Sequence, residues 1–109
     1  MIIIRNNIIP FKGYKAINLF GLLFVRKDAV LGSVDINHEK IHSEQMKEML
    51  YVFFYLWYVI EWLVRLIQYR DAHTAYRNIS FEREAYMNQS NLGYLEGRGR
   101  YAWMKYLKE

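Results

Sequence analysis

Cysteine is absent from the 109 residues, and that gap removes two classes of small domain. Disulfide scaffolds are excluded, as are zinc sites built on thiolates, while the redox compartment stays open. Any metal must be held by His, Asp or Glu, and histidine is scarce, with three in the chain. A block of like charge is also missing. Fifteen basic and eleven acidic residues leave a net charge of +4, with a modest concentration of cations at Arg98, Arg100, Lys105 and Lys108. That pattern argues against nucleic acid and suits a peptide or protein substrate, or acidic lipid head groups. Before Arg5 stand three isoleucines and no charged segment leading into a long apolar run, so no signal peptide is expected. The expected location is cytoplasmic, with membrane association as the alternative. The sequons at Asn78 and Asn88 would matter only in a secreted eukaryotic protein.

Apolar and aromatic residues, by contrast, are plentiful. At 53% hydrophobic and 17% aromatic, the composition supports a packed core in one domain spanning residues 1–109. Residues 1–31 read as strands: "MIIIR", then "KAINLFGLLFVRKD" divided by Gly21, with Pro10 and Gly13 as punctuation. Ile17, Leu19, Leu23 and Val25 alternate as in a half-buried antiparallel sheet. Helical spacing takes over at Gly32, with Ser33 or Asp35 as cap, and runs on through Ile41, Gln45, Met46, Met49 and Leu50.

The next stretch, "YVFFYLWYVIEWLVRLIQYR", is apolar without interruption over residues 51–60. It predicts a central helix buried in the core, its polar face at Glu61, Arg65 and Gln68. Docking on a membrane surface or homodimerisation through Phe53, Phe54, Trp57 and Tyr58 is the competing expectation. Ser80 is expected to cap a helix over 79–97, and Gly97 and Gly99 precede a last short helix over 100–108. The fold class is α+β: a small N-terminal antiparallel sheet followed by three or four helices.

Two of the three histidines fall in "NHEKIH". Residues four apart share a helix face, so His38 and His42 can present two imidazoles to one ion. Glu39 lies about 100° round the wheel from His38, beside the metal, where a carboxylate can act as general base. A catalytic site of this kind needs a third protein ligand and an open position. The candidates are His73, alone in a polar connection, and Glu82 and Glu84 in "FEREAY". Glu82 has a small residue, Ala85, three positions on, which lets two helices approach closely.

H-E-x-x-H on one helix and E-x-x-A on a later one resembles the gluzincin metallopeptidases. The chain is most similar to their minimal forms, and to short bacterial proteins, typical of Bacteroidetes, that carry "NHE-x-x-H … YRNISFEREAY". The resemblance covers about residues 33–90. It implies a zincin-like fold with Zn²⁺ held by His38, His42 and Glu82, and Glu39 as catalytic base. Many gluzincins place Asp directly after E-x-x-A to orient a ligand histidine; here that position is Tyr86. Its hydroxyl, Asp35, Asn37 or Asp71 is then expected to take that part.

The function expected is zinc-dependent hydrolysis of peptide bonds. The alternative is a non-catalytic metal-binding or interaction module, membrane-associated through residues 51–69. Tyr76, Tyr86, His73 and Arg77 are candidate donors to a transition-state oxyanion by residue type alone.

Overall fold

The computed structural model describes residues 2–8 and 15–107. It is α+β, with a three-stranded sheet packed beside a set of helices. Strands β1 (Ile2–Asn6), β2 (Ala16–Leu19) and β3 (Leu22–Arg26) are ordered β1-β3-β2, with β3 central. The sheet is mixed rather than antiparallel: β3 pairs parallel with β1, Ile2 opposite Leu22, and antiparallel with β2, Ala16 opposite Val25. Pro10 and Gly13, read as punctuation, lie outside the described residues. Phe20 and Gly21 form the two-residue turn between β2 and β3, both at positive φ (54° and 88°), which matches the twist of a tight hairpin.

Alternation along β3 buries Leu23 and Val25 completely. On β2 the positions opposite them are Ala16 and Asn18, so the face turned inward carries a buried amide, and Ile17 and Leu19 lie on the other face. The Asn18 Nδ2 donates to the Glu39 carbonyl (3.0 Å) and the Ser43 hydroxyl (2.9 Å), tying the edge strand to the first helix.

Helix α1 (Ser33–Glu48) begins after Gly32, whose N–H donates back to the Asp35 carboxylate (3.0 Å). It stops at Met49, where Leu50 and Tyr51 take positive φ values of 52° and 59°. Helix α2 (Val52–Tyr69) leaves at 110° to α1. Neither Gly nor Pro marks this corner; Tyr51 N–H donates to the Met46 carbonyl (2.8 Å), and the Tyr51 side chain packs against the core. Helices α3 (Ala72–Arg77), α4 (Ser80–Asn88) and α5 (Tyr94–Gly97) follow, with a 3₁₀ helix over Ala102–Tyr106. The single helix expected over 79–97 is thus two helices joined by a turn, and the C-terminal helix is one short 3₁₀ segment, with Lys108 outside the described residues. The core gathers Met46, Phe54, Ile79, Phe81 and Trp103, with Phe54 stacked on Phe81 and Trp103 set against both Phe81 and Trp57.

Helix α2 reverses the expected orientation. Glu61 and Arg65, read as its solvated face, are buried at 8% and 4% exposure, while Phe53, Leu56, Ile60, Leu63 and Ile67 are exposed. The physical reason is the start of α4. Its first N–H groups have no partner within their own helix, and Ile79 in the cap position offers no side-chain acceptor. The Glu61 carboxylate supplies one, accepting from both the N–H and the hydroxyl of Ser80 (each 2.6 Å) and from the Trp57 indole (3.1 Å). Ser80 is therefore a donor in the first turn of α4 and not its cap. Arg65 pairs with Glu61 (3.8 Å) and donates to Gln68 and the Leu107 carbonyl.

Candidate metal centre

Helix α1 carries His38 and His42 one turn apart, and α4 packs against it so that Glu82 faces both. Ala85, one turn beyond Glu82, is fully buried. The Nε2 atoms of the two histidines lie 3.1 Å apart, and Glu82 Oε1 is 3.1 Å from one and 3.3 Å from the other. A tetrahedral ion with bonds of about 2.0–2.1 Å holds neighbouring ligand atoms about 3.3–3.4 Å apart. The three atoms therefore sit near one triangular face of such a tetrahedron, and they are placed to hold a metal ion.

The groups behind them fix which nitrogen is free. Gln45 Nε2 donates to the Phe81 carbonyl (3.0 Å) and to Glu84 Oε1 (2.9 Å), both pure acceptors, which sets the amide orientation. Gln45 Oε1 then faces His42 Nδ1 at 2.7 Å, so Nδ1 carries the hydrogen and the Nε2 lone pair is left for an ion. Gln89 Oε1 does the same for His38 Nδ1 (2.8 Å). Asn37 pins the turn that carries Gln89 by donating to the carbonyls of Gln89 and Asn91 (each 2.9 Å). Glu82 directs Oε1 at the histidines and accepts from the Tyr58 hydroxyl on Oε2 (2.7 Å).

Without an ion these groups share a proton. Burial alone would lower the pKa of His42, but the Glu82 carboxylate, Glu39 and the hydrogen bonds outweigh it, and the pKa is pushed up to about 9. Burial would raise Glu82; the two histidines overcome this and hold its carboxyl far below the usual range. Glu39 differs. Burial lifts its pKa above the ordinary carboxylate value, partly offset by His42 and His38, and among the described residues no side chain donates to its carboxylate.

Glu39 stands where two cavities meet. One, of about 370 Å³, is largely apolar, lined by Ile17, Met46, Phe54 and Tyr58 together with all three candidate ligands. The other, of about 300 Å³, is more polar and includes Lys15, Asp35, His73 and Gln89. Ala16, His38, Glu39 and Tyr76 line both. Strand β2 borders them. The Lys15 carbonyl accepts from Arg26 N–H (3.0 Å), so alternation along the antiparallel pair turns the N–H and C=O of Ala16 away from β3.

The remaining sequence candidates are not at the ligand triangle. Glu84 lies on another face of α4, fully buried, and accepts from Gln45, the Tyr94 hydroxyl (2.6 Å) and Arg98. Arg98 also makes a two-pronged pair with Glu48 (2.9 and 3.0 Å), so Glu84 anchors the support behind His42 instead of an ion. His73 is exposed on α3, beside Tyr76, in the polar cavity. The Tyr86 ring meets His38 edge-on, but its hydroxyl pairs with Tyr76 (2.9 Å) and orients no ligand. Asp71 caps α3 through Thr74.

The orienting glutamines were missed from sequence. Gln45 had a signal, being a polar residue at a stripe position between Ile41 and Met49; Gln89, in a turn after α4, had none. Comparison with protein-family models, with curated proteins and with solved structures found no match to this chain.

Proposed function

We propose that the chain is a zinc-dependent, gluzincin-like hydrolase of peptide bonds. The observation that carries this reading is the pairing of a three-ligand triangle of tetrahedral size with a carboxylate, Glu39, that has no side-chain donor among the described residues and borders two cavities. His₂Glu is a donor set that suits zinc, held by His38 Nε2, His42 Nε2 and Glu82 Oε1. When bound, the ion supplies a lowered pKa for water and polarisation of the scissile carbonyl.

The protein does the rest. Glu39 takes the proton from the attacking water and returns it to the leaving amine; its raised pKa suits a group that must both accept and release. Tyr76 lines both cavities and stays protonated, because burial and the nearby Glu82 push its pKa up, so its hydroxyl can donate to the developing oxyanion. Tyr58 is committed to Glu82 and holds that ligand in place. The substrate lies extended along β2, pairing with the outward N–H and C=O of Ala16, and the apolar cavity takes one of its side chains.

The test compares wild type with Glu39→Gln and Glu82→Ala, reading bound zinc and cleavage of unstructured peptides. Near-stoichiometric zinc in wild type and in Glu39→Gln, lost in Glu82→Ala, with cleavage by wild type alone, is expected. Zinc without turnover in wild type would favour a metal clamp joining α1 and α4. No zinc uptake at all would remove the reading.

A further inference from the structure

Nine of the sixteen residues from Val52 to Ile67 are apolar and exposed, Phe53 at 55%, Ile60 at 52% and Ile67 at 77% among them. At 100° per residue they fill an unbroken arc of about 160°, from Val59 round to Trp57, along about 24 Å of helix. No charged residue interrupts that arc, because Glu61 and Arg65 both point into the body. A helix apolar on its outer face as well as its inner one is expected to be covered on both.

The apolar surface continues past the helix. Phe20, at the tip of the β2–β3 turn, is 60% exposed and packs beside Tyr51 and Tyr55. Leu50, at the α1–α2 corner, is also well exposed. Both hold positive φ, a conformation usually left to Gly, Asn or Asp at such tips.

The width of the arc and the charges around it decide what covers it. Two helices packed side by side bury a seam of about two positions in seven, which would leave either the Val52–Val59 flank or the Phe53–Trp57 flank wet. A lipid surface covers the whole arc at once. The nearby exposed ions are mainly cationic. Arg70 ends α2, and Arg100 and Lys105 lie on the segment held against α2 by the Trp103–Trp57 contact and by Arg65 donating to the Leu107 carbonyl. None of these three cations makes an ion pair among the described residues. Lys47 pairs with Glu44, and Glu48 is taken by Arg98. Among the described residues no single helix is long and apolar enough to cross a membrane.

We propose that the outer face of α2, with Phe20 and Leu50 at its N-terminal end, docks in the headgroup boundary of an anionic bilayer. This does not depend on the metal reading.

The full chain and a Leu56→Glu/Ile60→Glu variant are sedimented with unilamellar vesicles of phosphatidylcholine, with and without about one third phosphatidylglycerol. Their mass in vesicle-free solution is measured alongside. Wild type is expected to pellet with vesicles, more with the anionic ones, and the variant to lose about tenfold or more in partitioning while keeping the wild-type circular dichroism spectrum. Ile67→Ser serves if the double variant does not fold, with a smaller loss expected. Wild type left in the supernatant overturns the proposal, and a dimer dissociated by the substitutions would then identify a second copy as the occupant. Variants that pellet like wild type also overturn it.

Discussion

Of the polar residues α1 turns inside, His38 and His42 converge with Glu82 from α4 on a point where an ion can sit, and Asn37 and Gln45 support them from behind. On α2 the polar residues that go inside, Glu61 and Arg65, serve only the protein, closing the start of α4 and the carbonyl of Leu107. The rest of α1's surface is ordinary and solvated, whereas the outer face of α2 is bare hydrocarbon. Buried polar groups thus have two different explanations in adjacent helices. What separates them is where the chain of partners ends. The α2 network ends on the backbone, Glu61 at the first N–H of α4 and Arg65 at the Leu107 carbonyl. The α1 network, followed inward from Glu48 through Arg98, Glu84 and Gln45, ends on two imidazole lone pairs and a carboxylate oxygen facing one another. Such a cluster is stable only with a shared proton or a cation at its centre.

The comparison is broken most forcefully at Glu61. Glu61→Leu leaves Arg65 and Ser80 without their buried acceptor, and a loss of about 3–5 kcal/mol in urea-unfolding stability is expected, with the metal site lost only through unfolding. Gln45→Leu strikes the other network. Its expected effect is a drop of about 10–100-fold in zinc affinity by competition with a chelator, since His42 loses its orienting acceptor while keeping its lone pair.

Titration sharpens the same contrast. With His42 raised from 6.5 to about 9, an entering ion must displace a proton, so apparent affinity should rise about tenfold per pH unit up to pH 9 and then level off. The metal-free protein should move the other way. A raised histidine pKa contributes stability that is complete below pH 6.5 and is lost as pH climbs through 9, a trend readable in Tm against pH. The smallest effect belongs to the outer face of α2. Ile67→Ser should change folding stability by less than about 0.5 kcal/mol, because its side chain is largely exposed.

Much of the α1 side was readable beforehand. The i, i+4 histidines, the adjacent Glu39 and the E-x-x-A spacing are all local, and a helix turns local spacing into geometry without help from the rest of the chain. The sheet was less readable. Its strands were found, yet the parallel pairing of β1 with β3 depends on the order in which distant segments meet, which spacing along one strand does not encode. The face of α2 was misjudged for a related reason. An apolar residue scores as core wherever it stands, and only the demand of α4's first turn for an acceptor turned Glu61, and with it Arg65, inward.

By itself the sequence determined that HEKIH, the apolar run and FEREAY lie on helices, the apolar excess, and the residue types able to hold an ion, because these follow from composition and short-range periodicity. Tertiary structure decided which carboxylate reached the histidines, that Gln45 and Gln89 hold their tautomers, and which side of α2 faces away from the body. Each of those depends on a partner between 3 and 51 residues away in the chain. All but the Gln45–His42 pair involve separate elements, and burying an unpaired polar group costs more than leaving an apolar one in water.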